Sequence, residues 1–285
     1  MRSLQVHVPA GCPNRCPFCC SAAHHNQMDA RFPVTPSIFI PRMNYAREHG
    51  CDFLMLTSTG EPTMNLEYIH DILAVNQSLR TPFDAIDLQT SGAGLNVGTL
   101  EELRAAGVTT IALSVAYLLD DDKNAEIMRT PEKLRYKICT LAHLIRTNGF
   151  TLRLCLNLTS EYDADHVHEI FHAARLVGAD QVTFKRLYAN AAPRNRDERE
   201  IRSWVIKNRE ETKDLSEEID CYIRTNGRKM SLLPGGEEVY SIQGMSTVLM
   251  TDCQGQRITD TPRYYILRPN GKLYTRWDDD GSIVF

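Results

Sequence analysis

The sequence holds no apolar run of bilayer-spanning length, which argues against a membrane-spanning protein. It shows no excess of either charge sign. The 285 residues carry a formal net charge of -4, so electrostatics gives little reason to expect a nucleic acid or a membrane surface as partner. The opening "MRSLQVHVPAG" lacks the apolar stretch of a secretory signal and runs directly into a strand-like segment. The cytoplasm is therefore the expected compartment. No repeat or low-complexity segment is present. Tryptophan is scarce, and Trp204 and Trp277 are both expected in the core. A disulfide framework is also missing. Nine cysteines, an odd number spread over a long chain without an export signal, do not read as one.

The chain has an apolar fraction of 42%, enough for one barrel-sized α/β domain or two smaller ones. Up to about residue 188, short β-rich runs alternate with longer amphipathic ones. Strands are predicted at 4–9, 51–57, 85–91, 109–115, 151–158 and 181–188, with helices at 35–49, 64–79, 98–106, 131–147 and 164–177. Thr35 before Pro36 reads as a helix start, and Gly107 as a stop. This alternation implies parallel strands joined by crossover helices, six of them, in an open or partial barrel. From 191 to 227 charges of both signs crowd together and predict solvated helices. Residues 228–285 read as β. There Asn270-Gly271 joins two alternating runs and predicts a type I′ hairpin.

Chemistry concentrates in "GCPNRCPFCC", residues 11–20, just after the first predicted strand. Parallel α/β folds bind ligands at the carboxyl ends of their strands. Cys12, Cys16 and Cys19 could close a zinc site with His24 or His25 as fourth ligand. They could equally hold a [4Fe–4S] cluster that leaves one iron without a protein ligand. Cys20 projects differently from Cys19 and is not expected to be a ligand. His24 and His25 otherwise read as exposed loop residues. The remaining cysteines stand alone and read as small buried hydrophobes.

The spacing Cys12-x₃-Cys16-x-Phe18-Cys19, with an aromatic before the third cysteine, resembles the signature of the radical S-adenosylmethionine (SAM) superfamily. The resemblance implies a partial (β/α)₆ barrel, in agreement with the six strands counted above. It implies that Cys12, Cys16 and Cys19 hold one [4Fe–4S] cluster. SAM would chelate the open iron and split into methionine and a 5′-deoxyadenosyl radical that takes hydrogen from a substrate. It further implies an oxygen-sensitive enzyme and an electron donor such as flavodoxin or ferredoxin.

"TSTGEPT", residues 57–63, resembles the Gly-Gly-Glu motif that meets the SAM amino group. Gly60, Glu61 and Pro62 match, and Thr59 stands in the first glycine position. Ser91-Gly92 falls where relatives carry an Asn-Gly loop, and Ser114 where many carry a serine near the SAM ribose or carboxylate. Phe18, next to the third cysteine, belongs to the same cofactor-binding set. Alternation along "TLRLCLNL" turns the leucines one way and Arg153, Cys155 and Asn157 the other, toward the barrel, where Arg153 or Asn157 could hold SAM. By the same alternation Asp87, Gln89, Thr183 and Lys185 face the cavity and, with Arg186, are substrate candidates.

Three segments are expected: a radical SAM partial barrel over 1–190, a charged helical segment over 191–227, and a β-rich extension over 228–285 that covers the barrel opening and excludes water and oxygen. With only Cys221 and Cys253 in the last third, a single cluster is expected. The substrate is expected to be small, with a nucleotide or other anionic metabolite favoured because Arg153, Lys185 and Arg186 are placed together at strand ends. A peptide or macromolecule is the alternative. From a different class, a non-catalytic zinc or iron–sulfur binding protein acting as an interaction module competes with the enzyme.

Overall fold

The computed structural model describes residues 2–22, 32–189, 193–251, 262–277 and 279–285. His24, His25 and Cys253 lie outside the described residues.

Six strands form the centre of one sheet in chain order and all parallel: β1 (Arg2–His7), β2 (Cys51–Thr57), β3 (Ile86–Thr90), β4 (Thr110–Val115), β5 (Thr151–Leu158) and β6 (Gln181–Arg186). Between them run α1 (Pro36–Glu48), α2 (Leu66–Gln77), α3 (Val97–Ala105), α4 (Asp121–Ile127), α5 (Ile138–Thr147) and α6 (Val167–Leu176). This is the (β/α)₆ partial barrel expected from the alternation. Its core lies between strands and helices. Leu4, Val6, Leu54, Leu56, Leu88 and Ile111 are fully or almost fully buried there. Each such side chain stabilises the fold by roughly 1.5–3 kcal/mol relative to exposure. On α5, buried Ile138, Leu141, Ala142 and Ile145 follow the helical repeat that lays one stripe on the sheet.

Helix starts follow capping chemistry. Asn65, Asn96 and Asp120 each accept a hydrogen bond from a backbone N–H three residues on. Thr35 makes no such bond, so Pro36 at the first position marks that start. Gly107 ends α3 with φ of 105°, as expected of a glycine stop. The helix expected over 131–147 begins only at Ile138. Pro131 opens a short 3₁₀ turn over Glu132–Leu134, and the Tyr136 hydroxyl is drawn out to the Ser91 carbonyl. The Asp120 cap instead starts the separate α4.

The charged stretch forms α7 (Arg196–Glu211) and α8 (Lys213–Asn226). Their exposed faces carry i,i+4 ion pairs such as Arg196–Glu200 and Lys213–Glu217. The second helix is more than a solvated one. Leu215, Ile219 and Ile223 are buried, and Tyr222 stacks on Phe171 of α6 with ring centroids 4.4 Å apart.

The last strands extend both sheet edges. β7 (Arg228–Leu232), β8 (Glu238–Ile242) and β9 (Met245–Met250) join at β6, with β9 parallel to it. β10 (Tyr264–Leu267) runs parallel to β1 and carries the antiparallel β11 (Leu273–Tyr274). The Asn270-Gly271 turn is not type I′. Arg268 N–H donates to the Lys272 carbonyl and Gly271 N–H to that of Arg268, leaving a three-residue loop in which only Gly271 has positive φ. Pro269 occupies the position after Arg268, where its fixed φ suits an ordinary turn. The two-residue turn with positive φ at both centres lies between β8 and β9, at Gln243 (φ 51°) and Gly244 (φ 87°).

Candidate active site

The loop after β1 is anchored from several sides. Cys19 N–H closes a turn onto the Cys16 carbonyl at 3.2 Å. The Met128 carbonyl, at the end of α4, accepts from Arg15 N–H at 3.2 Å and from the Cys16 thiol at 3.4 Å. Phe18 is buried with Ala116, Met128, Leu187 and Val205, its ring 6.0 Å from that of Trp204. The aromatic of the cysteine motif thus holds the loop down, and Trp204 is partly buried beside it. Cys20 and Ser21 line the barrel cavity.

The next loop closes against the first. Glu61 N–H donates to the Gly11 carbonyl at 2.9 Å, and the Ser58 hydroxyl to that of Val8 at 2.7 Å. A Cβ on Gly60 would stand 2.1 Å from the Ala10 carbonyl oxygen, so only glycine allows this approach. Thr59, in the motif's first glycine position, places its hydroxyl 2.9 Å from Nε2 of His7. Pro62 is buried at the start of a 3₁₀ turn.

Glu61 is 1% exposed, and its carboxylate ties the second loop to the third. Oε1 accepts from Thr63 N–H, the Thr63 hydroxyl and the Thr90 hydroxyl at 3.3, 2.9 and 2.6 Å. Oε2 accepts from Ser91 N–H and the Ser91 hydroxyl at 2.7 and 2.6 Å. The Ser91 carbonyl in turn accepts from the buried Tyr136 hydroxyl at 2.6 Å. Burial, then the charges of Glu61 and Asp121, push the Tyr136 phenol well above its ordinary range. Glu61 and Ser91 therefore engage each other. Gly92 (φ 85°) leaves room for the Tyr136 ring, which a Cβ would meet at 2.8 Å.

Ser114, Asn157 and Lys185 lie on the inner parity of β4, β5 and β6 near their carboxyl ends, with Asn157 and Lys185 in register. Arg153 is not with them. It sits four residues before Asn157, about 13 Å lower at the usual rise per residue. There its guanidinium meets Asp87 at 2.5 Å and Gln181 at 2.6 Å. Arg186 has the opposite parity, and the charges acting on it are Arg209 of α7 and Glu217 of α8. The expected trio of cations is thus dispersed by strand geometry.

The barrel encloses a cavity of about 720 Å³. Asp87, Gln89, Arg153, Thr183 and Lys185 line it, and Arg186 does not. Met55, Val182, Met230 and Trp277 form part of its apolar wall. Trp277 packs on Tyr264, Ile266 and Tyr274 yet also faces this space, donating to the Gln5 side chain at 2.6 Å. His7 and Tyr136 carried no sequence signal, and Trp277 read only as a core residue. Each is fixed by pairing between distant elements.

The thiols suit a metal cluster. Partial burial, with the charges of Glu61 and Cys19, pushes the Cys12 thiol up to about 11. Burial, then Cys19 and Cys12, pushes Cys16 higher still. The Cys12 and Cys16 thiols, raised in this way, need a strongly cationic centre to lose their protons. Among the described residues no three His, Cys, Asp or Glu side chains converge on a single ion. A [4Fe–4S] cluster takes one thiolate on each of separate irons, and three cysteines on one short loop suit it.

The Radical SAM superfamily model matches residues 6–174. The chain belongs to the radical SAM superfamily. It is an enzyme family whose cofactors are SAM and a [4Fe–4S] cluster. The fold is similar to that of SuiB from Streptococcus suis bound to S-adenosylmethionine, with TM-score 0.63 and 16% identity over 95% of this chain. It is also similar to anSMEcpe with bound AdoMet and the Cp18Cys peptide, with TM-score 0.62 and 14% identity over 98% of this chain and 74% of that one. Coproporphyrinogen III oxidase (HemN) from Escherichia coli matches with TM-score 0.51 and 15% identity, covering 80% of this chain and 54% of that one. The radical SAM chain spans 59% of the length of SuiB. No curated protein matches its sequence. No helix among its described residues is long and apolar enough to cross a membrane.

Proposed function

We propose that this radical SAM chain holds one [4Fe–4S] cluster through Cys12, Cys16 and Cys19 and removes hydrogen from a substrate in the barrel cavity. One observation carries the reading: the cysteine loop stands at the carboxyl ends of parallel strands, and its Cys20 and Ser21 line the cavity. Bound there, the cluster and SAM supply a reducing electron and a 5′-deoxyadenosyl radical.

The protein's own residues hold, orient and shield. Gly60 and Glu61 fix the second loop against the first, and Glu61, Thr90, Ser91 and Tyr136 fix the third. Ser114, Asn157 and Lys185 offer polar groups for SAM or substrate on the inner rim. Trp277 and the β7–β8 hairpin wall the cavity and keep water from the reacting centre. We assign the enzyme to the cytoplasm and a flavodoxin- or ferredoxin-type protein to its reduction.

Charge refines the substrate. Asp87 neutralises Arg153, and Glu237 pairs with Arg263 at 3.1 Å. Arg186 faces the helices, which weakens the case for a strongly anionic metabolite. The substrate is a small group of mixed polarity. A second reading, a peptide side chain, draws on the exposed strand β7, where Met230 both borders the cavity and is 55% exposed. The test is 5′-deoxyadenosine release from anaerobically reconstituted protein, with and without nucleotides, neutral metabolites and peptides. Release that a substrate raises and Cys16→Ala abolishes supports the proposal. No release from a cluster-loaded protein refutes it.

A further inference from the structure

His7 stands at the carboxyl end of β1, on the same parity as Ser3 and Gln5, which line the barrel cavity. It is 1% exposed. Its Nδ1 is buried with no partner among the described residues, and its Nε2 lies 2.9 Å from the Thr59 hydroxyl. Burial, then Arg268, keeps the imidazole neutral, so it acts as a hydrogen-bonding group and not as a charge. An apolar residue would cost the fold less at such a position. A buried polar ring left half satisfied calls for another reason.

Its partner supplies that reason. Thr59 belongs to the turn that abuts the cysteine loop, next to Glu61, whose charge acts on the Cys12 thiol. A small molecule bound at the centre that Cys12 helps to hold would meet this turn. The Glu61 carboxylate is already occupied by donors from Thr63, Thr90 and Ser91. The acceptors left for an ammonium group are the carbonyls of Ser58, Thr59 and Gly60, none of which takes a hydrogen bond among the described residues. Where they point depends on the tilt of the turn, which two side chains fix. The Ser58 hydroxyl donates to the Val8 carbonyl and accepts from Gly60 N–H at 2.7 and 2.8 Å, and Thr59 is held by His7. Thr59 is not among the residues with positive φ, so the backbone has no need of the motif's first glycine. On the other side of His7, Trp277 sets its ring edge-on with centroids 5.8 Å apart. The Trp277 carbonyl accepts from the buried Arg268 at 3.0 Å.

We infer that His7 is a positioning residue for SAM: through Thr59 it fixes the turn whose carbonyls meet the cofactor's ammonium group, and Trp277 holds it in place. The inference rests on the proposed function, because it needs SAM beside the cysteine loop.

SAM itself is the probe, and its dissociation constant is measured on the cluster-loaded full chain together with iron content. Thr59→Gly restores the motif glycine and yet should weaken SAM binding about tenfold. His7→Phe, which keeps a ring without the bond, should weaken it by about the same factor. Thr59→Ser and His7→Gln keep a hydrogen-bonding group in reach and should bind within about twofold of the parent. The double variant of His7→Phe and Thr59→Gly should bind no more weakly than the weaker single one, because both remove the same contact. Iron content should stay level throughout. Parent-like SAM affinity in Thr59→Gly overturns the inference. So do losses that multiply in the double variant, or iron lost in step with SAM. If the parent itself holds no cluster or no SAM, the proposed function fails. Amide exchange at residues 57–61 of the cluster-free chain then decides the tether: His7→Phe and Thr59→Gly should quicken it, and unchanged exchange overturns the tether as well.

Discussion

Ser91 grips Glu61 twice: its backbone N–H and its hydroxyl both donate to Oε2 of a glutamate thirty positions earlier, at 2.7 and 2.6 Å. The loops after β2 and β3 are thereby one unit. In Glu61→Gln an amide replaces one acceptor and faces donors already in place. The expected cost is about 2–3 kcal/mol of stability, read by urea unfolding. SAM affinity should fall with it, because the loops lose their common anchor. Unchanged stability would mean that the carboxylate does not tie them.

Tyr136→Phe removes only the hydroxyl bonded to the Ser91 carbonyl. The ring still fits against Gly92, so the expected loss is about 1 kcal/mol. Hydrogen exchange should quicken at residues 90–96 and stay as before at β5. A uniform change over the whole chain would contradict a local tether.

Asp87 and Arg153 form a pair low in the barrel, with side chains 5% and 22% exposed. Either Asp87→Asn or Arg153→Met should cost about 2–4 kcal/mol by stranding the partner, discounted for the partial exposure of Arg153. The double variant should cost less than the sum. SAM affinity should hold in the cluster-loaded Arg153→Met protein. A selective loss of SAM binding would restore Arg153 to the cofactor site.

Burial, then the charge of Arg268, lowers the His7 imidazole from 6.5 to about 4. Between those values the unfolded chain takes up a proton that the folded chain refuses. Stability is complete above about pH 6.5, drains as pH falls, and by pH 4 the loss reaches about 3 kcal/mol. His7→Gln should flatten the melting temperature across pH 4.5–7. An equal acid slope in variant and parent would remove His7 as the cause.

Parity made much of this structure legible. Alternation along β5 turned Arg153 and Cys155 to the cavity they line, yet it could not say how deep each sits, and depth puts Arg153 in an ion pair with Asp87 away from the strand's carboxyl end. For Arg186 the next register position decided the outcome, since one residue flips a side chain to the other face. Glycine, proline and capping signals located most helices. The helix expected over 131–147 starts only at Ile138 because Tyr136 is recruited by Ser91, a contact no local pattern encodes. The positions of β9 and β10 at opposite edges also depend on long-range pairing that spacing does not reveal. The cysteine motif was readable because its cysteines share one short loop.

The most direct test is iron content and electron paramagnetic resonance of the reduced, anaerobically reconstituted chain, before and after SAM. The account predicts about four irons per chain, a signal that shifts on adding SAM, and loss of both in Cys16→Ala. A spectrum indifferent to SAM, or full iron retained by Cys16→Ala, would contradict it.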